Sequence, residues 1–337
     1  MTLREADIRP ADVHAEYLRL SAADAARLFA DPAARADRSC PGCGVHRPVP
    51  AFSKQGFKLS RCAACDTLYV TPCPTPERLA DLYADSPSAR YWAQVFFPAV
   101  AEARRSRIFR PRVQRALTIA TEMGRAPASL IDVGAGAAIF LEEARAARPD
   151  LALRAVEPGA ELAAQCRAKR FDTFAGFAEE AAHTDGWRES GDLVTSFEVI
   201  EHTTDALGFV TALAALARAN GTVLMSGLCG DGFDIRVLGA RANAIAPPHH
   251  LTFLSRCGAE MLMRRAGLSD VRVFTPGELD VDIVCNALRI DDGAVTDPFL
   301  RNLLLGPDDD ARSAFQSFLV AQGLSSHMWV VARKPAT

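Results

Sequence analysis

Apolar and polar positions run along the chain in two rhythms, and the switches between them mark the elements. Leu130-Ile131-Asp132-Val133 is a short apolar run of the kind that forms a buried parallel strand. It breaks at Gly134 and Gly136, then resumes as an apolar, alanine-rich stretch through Ala147 that predicts a helix. Leu151 to Val156 predicts a second strand, Ala160 to Lys169 a helix, and Phe171 to Phe174 a short third strand. Asp192 to Phe197 predicts the fourth strand and Asp205 to Arg218 the next helix. Asn220-Gly221 breaks the pattern before a fifth strand, Thr222 to Ser226. Ala259 to Ala266 predicts a helix ended by Gly267, followed by a sixth strand from Val271 to Phe274. Residues 296–322 read as helical, and His327 to Arg333, with Trp329, Val330 and Val331, as a final strand. Strands alternating with helices through short turns predict an α/β fold with a doubly wound, Rossmann-like parallel sheet.

The chain upstream of residue 128 has a different texture. Residues 1–36 read as helical, with Leu18, Leu20 and Leu28 among alanines, and suit packing or oligomerisation. Thr75 as a cap before Pro76 predicts a helix through Leu79, Leu82 and Tyr83. A second helical stretch, Ser88 to Met123, carries Tyr91, Trp92, Phe96 and Phe97. The expected division is a helical segment (1–36), a cysteine-bearing module (37–73), a helical connector (74–127) and the α/β domain (128–337).

A strand, a glycine turn and a helix form half of a nucleotide-binding βαβ unit. A dinucleotide site would carry a third glycine, and Phe140 or Leu141 stands near its place. The carboxylate of Asp132 would repel a pyrophosphate and suits a cation, such as the amino group of a bound amino acid. Glu157 closes the second strand, where an acid accepts both hydrogen bonds of a ribose diol. Both nicotinamide dinucleotides and S-adenosylmethionine (SAM) carry that ribose. The loop Gly176-Phe177-Ala178 is expected beside an adenine.

Two cysteine pairs precede this domain, Cys40-Pro-Gly-Cys43 and Cys62-Ala-Ala-Cys65, separated by 18 residues. Paired C-x₂-C knuckles at such a distance predict a tetrahedral zinc site with a β-hairpin between them. Four thiolates leave no open coordination position, so this zinc is structural. The alternative is four unrelated cysteines. Cys73 is expected to be a bystander, with replacement of one of the four ligands as the alternative.

Glu198, Glu201 and His202 follow the fourth strand at spacing i, i+3, i+4, which puts them on one face of a helical turn. Two carboxylates and an imidazole have the chemistry of a divalent-ion site. His249 or His250, after the fifth strand, would complete it, and Pro247 to Phe253 would roof the pocket. Two alternatives stand beside this one. His202 can act as a general base without metal, or the acids can simply favour a helix N-terminus. His14, His46, His183 and His327 have no such company and read as structural.

The strings Asp132-Val-Gly134-Ala-Gly136, Val156-Glu157-Pro158 and Phe197-Glu198-Val-Ile-Glu201-His202 resemble class I SAM-dependent methyltransferases over residues 128–275 and, more loosely, 327–333. The last string is similar to that of ubiquinone-pathway O-methyltransferases. The resemblance implies a seven-stranded sheet with an antiparallel last strand. It implies that Asp132, Gly134, Ala135 and Gly136 hold the methionine end of SAM and Glu157 its ribose. Pro158, Phe177, Phe197 and Tyr91 complete the candidate cofactor contacts. Ala138 departs from the family's common third glycine. The zinc ribbon followed by Pro74-Thr-Pro-Glu-Arg-Leu-Ala-Asp-Leu-Tyr83 resembles a subset of bacterial enzymes in sugar or natural-product pathways.

The resemblance implies methyl transfer to a hydroxyl of a small molecule or sugar, in natural-product or polysaccharide biosynthesis. The alternatives are a sugar-nucleotide C-methyltransferase, in which His202 or Glu198 removes a carbon-bound proton, and a metal-dependent RNA 2′-O-methyltransferase. In the latter, Glu198, Glu201 and His202 would hold a second divalent ion. A non-enzymatic alternative is a zinc-ribbon interaction protein with a degenerate SAM fold.

Bulk properties narrow these readings. A formal net charge of −3 over 337 residues gives no support to a general nucleic-acid-binding surface. The ribbon itself carries only Arg47, Lys54, Lys58 and Arg61 between its cysteine pairs. No apolar run is long enough to span a bilayer. The first residues lack the apolar region of a signal peptide, so nine cysteines read as thiols or metal ligands and the expected location is the cytoplasm. The oligomeric state stays open.

Overall fold

The computed structural model describes residues 4–124 and 126–336. Its internal contacts divide the chain into two units, neither of them continuous in sequence. The first unit takes residues up to Ala101, Leu228–Gly258 and Phe274–Met328; the second takes Glu102–Gly227, Ala259–Val273 and Trp329 onward. Residues 228–258 and 274–328, assigned to the α/β domain by the sequence pattern, therefore belong to the first unit. Linear patterning sees neighbours in sequence, whereas a unit is defined by which segments bury one another.

In the first unit, β1 (Arg35–Ala36) pairs antiparallel with β5 (Cys73–Pro74). The cysteine-bearing module forms β2 (Pro48–Lys54), β3 (Phe57–Cys62) and β4 (Leu68–Val70). The hairpin β2–β3 expected between the cysteine pairs is present, turning at Gln55 and Gly56. A fourth strand, β11 (Thr252–Phe253), pairs antiparallel with β4, so the order is β11-β4-β3-β2. Thr252 and Phe253, expected in a pocket roof, thus close the edge of the ribbon's sheet.

Behind that sheet lies a core containing Phe29, Phe57, Leu59, Leu68, Leu82, Phe253 and Val284. Helix Asp280–Ile290, which the sequence reading left unassigned, buries Val281, Val284, Cys285 and Leu288 at helical spacing. The stretch 296–322 divides into two helices, Pro298–Leu305 and Asp309–Ala321, each started by an aspartate cap, Asp297 and Asp308.

The second unit is built on β6 (Ser129–Val133), β7 (Ala152–Val156), β8 (Asp172–Phe174), β9 (Gly191–Phe197), β10 (Ala217–Leu228), β12 (Ser269–Phe274) and β13 (His327–Arg333). Their order is β12-β13-β10-β9-β6-β7-β8. The pairs β6–β7, β6–β9, β7–β8 and β9–β10 are parallel. Strand β13 runs antiparallel, its end held at the start of β10 by hydrogen bonds between Lys334 and the Asn220-Gly221 turn. Every residue of β6 is buried, as its apolar run predicts. The helix expected to reach Arg218 stops at Leu216, because Ala217 already pairs with Gly191. Arg218 is drawn to Asp192 at 3.0 Å.

Among the described residues no helix is long and apolar enough to cross a membrane. Phe253 is fully buried on a strand of only two residues. Phe253→Ala should lower the unfolding free energy by about 3–5 kcal/mol, read as a shift in the urea midpoint. An unchanged midpoint would place β11 outside the core.

Candidate active site and metal centre

The ends of β6 and β9 and the loops after them carry a group of acids at the C-terminal edge of the parallel sheet, where open α/β folds bind ligands. Asp132 is buried in β6, and its Oδ1 accepts a hydrogen bond from Thr195 Oγ1 at 2.7 Å. Burial pushes its carboxyl up to about 7, against the pull of Thr195 and Arg112.

The chain then turns through Gly134 (φ +75°) and Gly136 (φ +54°). A Cβ on Gly134 would lie 2.5 Å from Val199 Cγ2, so only glycine fits there. A Cβ on Gly136 would meet nothing within 4 Å, so this part of the loop has an open face. Ala138 takes a left-handed conformation (φ +58°) at the start of helix Ile139–Ala147.

Glu157 is buried just after β7, and its two oxygens accept hydrogen bonds from Gly136 N and Gly159 N, each at 2.8 Å. The sequence reading assigned it to a ribose; in this structure it also ties the glycine loop to the next helix. Burial raises its carboxyl, and the two backbone donors hold it down. Ala135 is buried and Pro158 exposed. Phe177 is 62% exposed at the start of helix Ala178–Ala181. Phe197 packs at 4.7 Å from the ring of Phe140 and 5.7 Å from Trp329. Tyr91 lies in the first unit, at the end of helix Pro87–Tyr91.

The expectation of Glu198, Glu201 and His202 on one helical face needs correction. Glu198 has φ +56°, a left-handed conformation, and the short helical turn begins only at Ile200. This backbone turn sends the Glu198 carboxylate to the Ser226 hydroxyl, with Arg112 Nη2 at 3.6 Å. Glu201 is 2% exposed, and its Oε2 has no hydrogen-bond partner. Burial first, and Glu198 second, push its carboxyl well above the usual range. A Glu201 oxygen and a His202 ring nitrogen lie within 4.8 Å of one another, and Glu198 is outside that group.

Arg112 is the functional residue the sequence reading missed. It sits on helix Arg110–Glu122, on the buried face with Val113, Ala116 and Ala120. A charged residue on an otherwise apolar face was the available signal. Its guanidinium lies over the Phe197 ring at 4.7 Å. Burial lowers its pKa, while Glu198, Asp132 and Glu201 raise it. Three carboxyls, Asp132, Glu198 and Glu201, thus act on one buried guanidinium. The unpartnered oxygen of Glu201 and the open face at Gly136 fit a ligand that brings positive charge, as SAM does with its sulfonium and amino groups.

His249 and His250 belong to the first unit. His249 Nε2 lies 3.1 Å from Ser88 Oγ, with its ring beside Tyr17 and Tyr83. Burial pushes its pKa down to about 4, so it is neutral near pH 7. Of the two histidines expected as alternatives for a metal set, His249 joins no group of metal-competent atoms among the described residues. His250 Nδ1 lies 2.6 Å from the carbonyl of Ala244.

The four cysteines of the ribbon do come together. Cys40, Cys43, Cys62 and Cys65 are all buried, with their sulfurs within 4.8 Å of one another. Cys40–Cys65 and Cys43–Cys62 sulfurs lie 3.5 Å apart. Tetrahedral zinc with bonds of about 2.3 Å needs sulfur–sulfur edges of roughly 3.8 Å, so the cluster fits that ion. Cys73 lies apart from it, in β5.

A family model described as "Methyltransferase domain" matches residues 100–273. No curated protein matches the chain. Among solved structures, the chain is similar to a SAM-dependent methyltransferase, described as a possible histamine N-methyltransferase, from Thermotoga maritima. That match has 14% identity, a TM-score of 0.44, and covers 72% of this chain and 99% of the other. A SAM-dependent methyltransferase from Archaeoglobus fulgidus gives 15%, 0.49, 72% and 100%. A plantazolicin methyltransferase in complex with S-adenosylhomocysteine gives 13%, 0.49, 76% and 94%.

The raised Asp132 carboxyl has a definite sign in stability. In the unfolded chain it ionises near 3.9, and in the folded chain near 7. Between those values the folded state holds the extra proton, so stability from this group falls as pH rises from about 4 to about 7. Asp132→Asn should therefore gain stability relative to the unsubstituted protein between pH 5 and pH 7.5, by a few kcal/mol at most, on the order of 1.4 per pH unit. Urea midpoints at the two pH values measure it, and parallel shifts would contradict the assignment.

Proposed function

The chain belongs to the methyltransferase-domain family, and from that premise we propose that it moves the methyl group of SAM to a hydroxyl of a small molecule or sugar. It is a SAM-dependent methyltransferase; the acceptor class is our reading. One observation carries it: the buried carboxyl of Glu201, with an unpartnered oxygen, beside the imidazole of His202. In this reading His202 takes the acceptor's hydroxyl proton as the methyl leaves sulfur, and the unpartnered oxygen of Glu201 accepts a hydrogen bond from the imidazole ring. Asp132 holds the amino group of the methionine end, and Glu157 holds the ribose hydroxyls with the oxygen lone pairs that its backbone donors leave. SAM supplies the electrophilic methyl; the chain aligns the acceptor and accepts its proton.

The commitment of Glu198 to Arg112 and Ser226 favours a base without metal over a divalent ion. A panel of hydroxylated small molecules and sugars, assayed for methyl transfer, supplies the test. His202→Ala should lower turnover about 100-fold or more while S-adenosylhomocysteine binds as before. Chelators should leave turnover intact. Chelator-sensitive turnover would replace the base with a metal held by Glu201 and His202, and methylation of carbon or nitrogen alone would overturn the hydroxyl assignment.

We also infer one structural zinc at Cys40, Cys43, Cys62 and Cys65. Metal analysis should find one zinc per chain. Cys62→Ser should release it and lower the first melting transition by about 10 °C, since metal binding in such a module is folding free energy. A metal-free protein of full stability would remove the zinc from the account.

A further inference from the structure

The loop from Gly134 to Ala138 enters its helix through a left-handed residue that is not glycine. Ala138 is left-handed at φ +58° and ψ +26°. That conformation presses a Cβ toward the neighbouring carbonyl oxygen and disfavours any residue but glycine. Ala138 also has no side chain to cap the helix that begins at Ile139. Left to itself, such a loop would open toward commoner backbone angles.

Two side chains close it from outside. Lys169, at the end of helix Ala160–Ala168, donates its Nζ to the carbonyl of Ala137 at 2.6 Å. Cys166, buried on the same helix, donates its thiol to the carbonyl of Gly136 at 3.3 Å. On the other side, Gly136 N is taken by Glu157, and Gly134 N and Ala135 N by the carbonyl of Val156. The loop is thus pinned through its carbonyls and its amides.

Lys169 is itself held in place. Its Nζ lies 3.1 Å from Glu142 Oε2. The same oxygen accepts from Arg105 Nη2 at 2.7 Å, and Arg105 also reaches Glu143 at 2.9 Å. Arg105 begins a π-helical turn, Arg105–Phe109, a local widening that helices rarely carry. Glu142 sits in the first turn of helix Ile139–Ala147, where an acid suits the helix dipole.

We propose that Lys169, together with Cys166, is a positioning residue that holds the cofactor loop in its binding conformation against the strain of a left-handed alanine at position 138. The proposal rests on the cofactor reading of that loop. Removing the ammonium frees the Ala137 carbonyl and lets Ala138 relax, so the loop must be re-formed each time cofactor binds, and affinity falls.

The test uses the full chain and S-adenosylhomocysteine in calorimetry. Lys169→Met should raise Kd about tenfold or more, the size of a charged hydrogen bond, and Lys169→Arg should restore it, since arginine can donate to the same carbonyl. Adding Ala138→Gly to Lys169→Met should recover most of the loss, because glycine takes the left-handed conformation at no steric cost. Amide exchange over residues 133–141 should rise in ligand-free Lys169→Met and fall again in the double variant. Unchanged Kd in Lys169→Met, or no recovery from Ala138→Gly, overturns the proposal while the cofactor reading survives. Absence of binding to the unsubstituted protein overturns both.

Discussion

Carboxyl groups buried at the C-terminal edge of a parallel sheet need positive charge, and much of the second unit follows from how this chain supplies it. An ion taken out of water without a partner is expensive, and a lone guanidinium cannot serve three carboxyls. The protein answers in three ways. Thr195 and Ser226 donate hydroxyl hydrogen bonds to Asp132 and Glu198. Arg112 is buried among the acids with its flat face on Phe197. The remaining mismatch is left as protonation, which is why burial raises Asp132, Glu157 and Glu201. Such a site is prepared for a cationic ligand before the ligand arrives.

The same constraint shapes the backbone. Glu198 adopts a left-handed conformation that turns its carboxylate toward Arg112 and Ser226. Left-handed backbone in a residue other than glycine persists only where its surroundings over-determine it, and such positions gather at functional sites. Glu157 shows a related economy. One buried carboxylate accepts the amide of Gly136 from one loop and of Gly159 from the next, so the acid expected to contact a ligand also ties the two loops together.

The first unit depends on different physics. Its ribbon is a small sheet with a thiol cluster at one end, and its core is assembled from three separated stretches of chain. Half-buried Arg38 donates to the carbonyls of Val70 and Leu251, joining the ribbon to the segment that forms β11. Buried Asp280 does the same for the C-terminal stretch, accepting from Ser325, Ser326 and Gln316. Polar groups that are both buried and satisfied specify which segments belong together, because any other pairing would leave them unpaired.

What the sequence determined by itself was local. The apolar runs placed the strands of the large sheet, since a buried strand needs only its own residues to be apolar. The spacing of Cys40, Cys43, Cys62 and Cys65 announced a cluster of four thiols, because each knuckle is closed within a few residues. Asp132 and Glu157 were visible because a strand end followed by a turn is also a local pattern. Tertiary structure decided what depends on partners far away in the chain. It turned the Glu198 carboxylate to Ser226 and Arg112 and left Glu198 outside the short helical turn that carries Glu201 and His202. It gave Arg112 its place, which no neighbour in sequence reveals. It moved Thr252 and Phe253 into the ribbon's sheet and tied His249 to Ser88. Periodicity reports which face of an element is apolar; only the packed chain reports what that face meets.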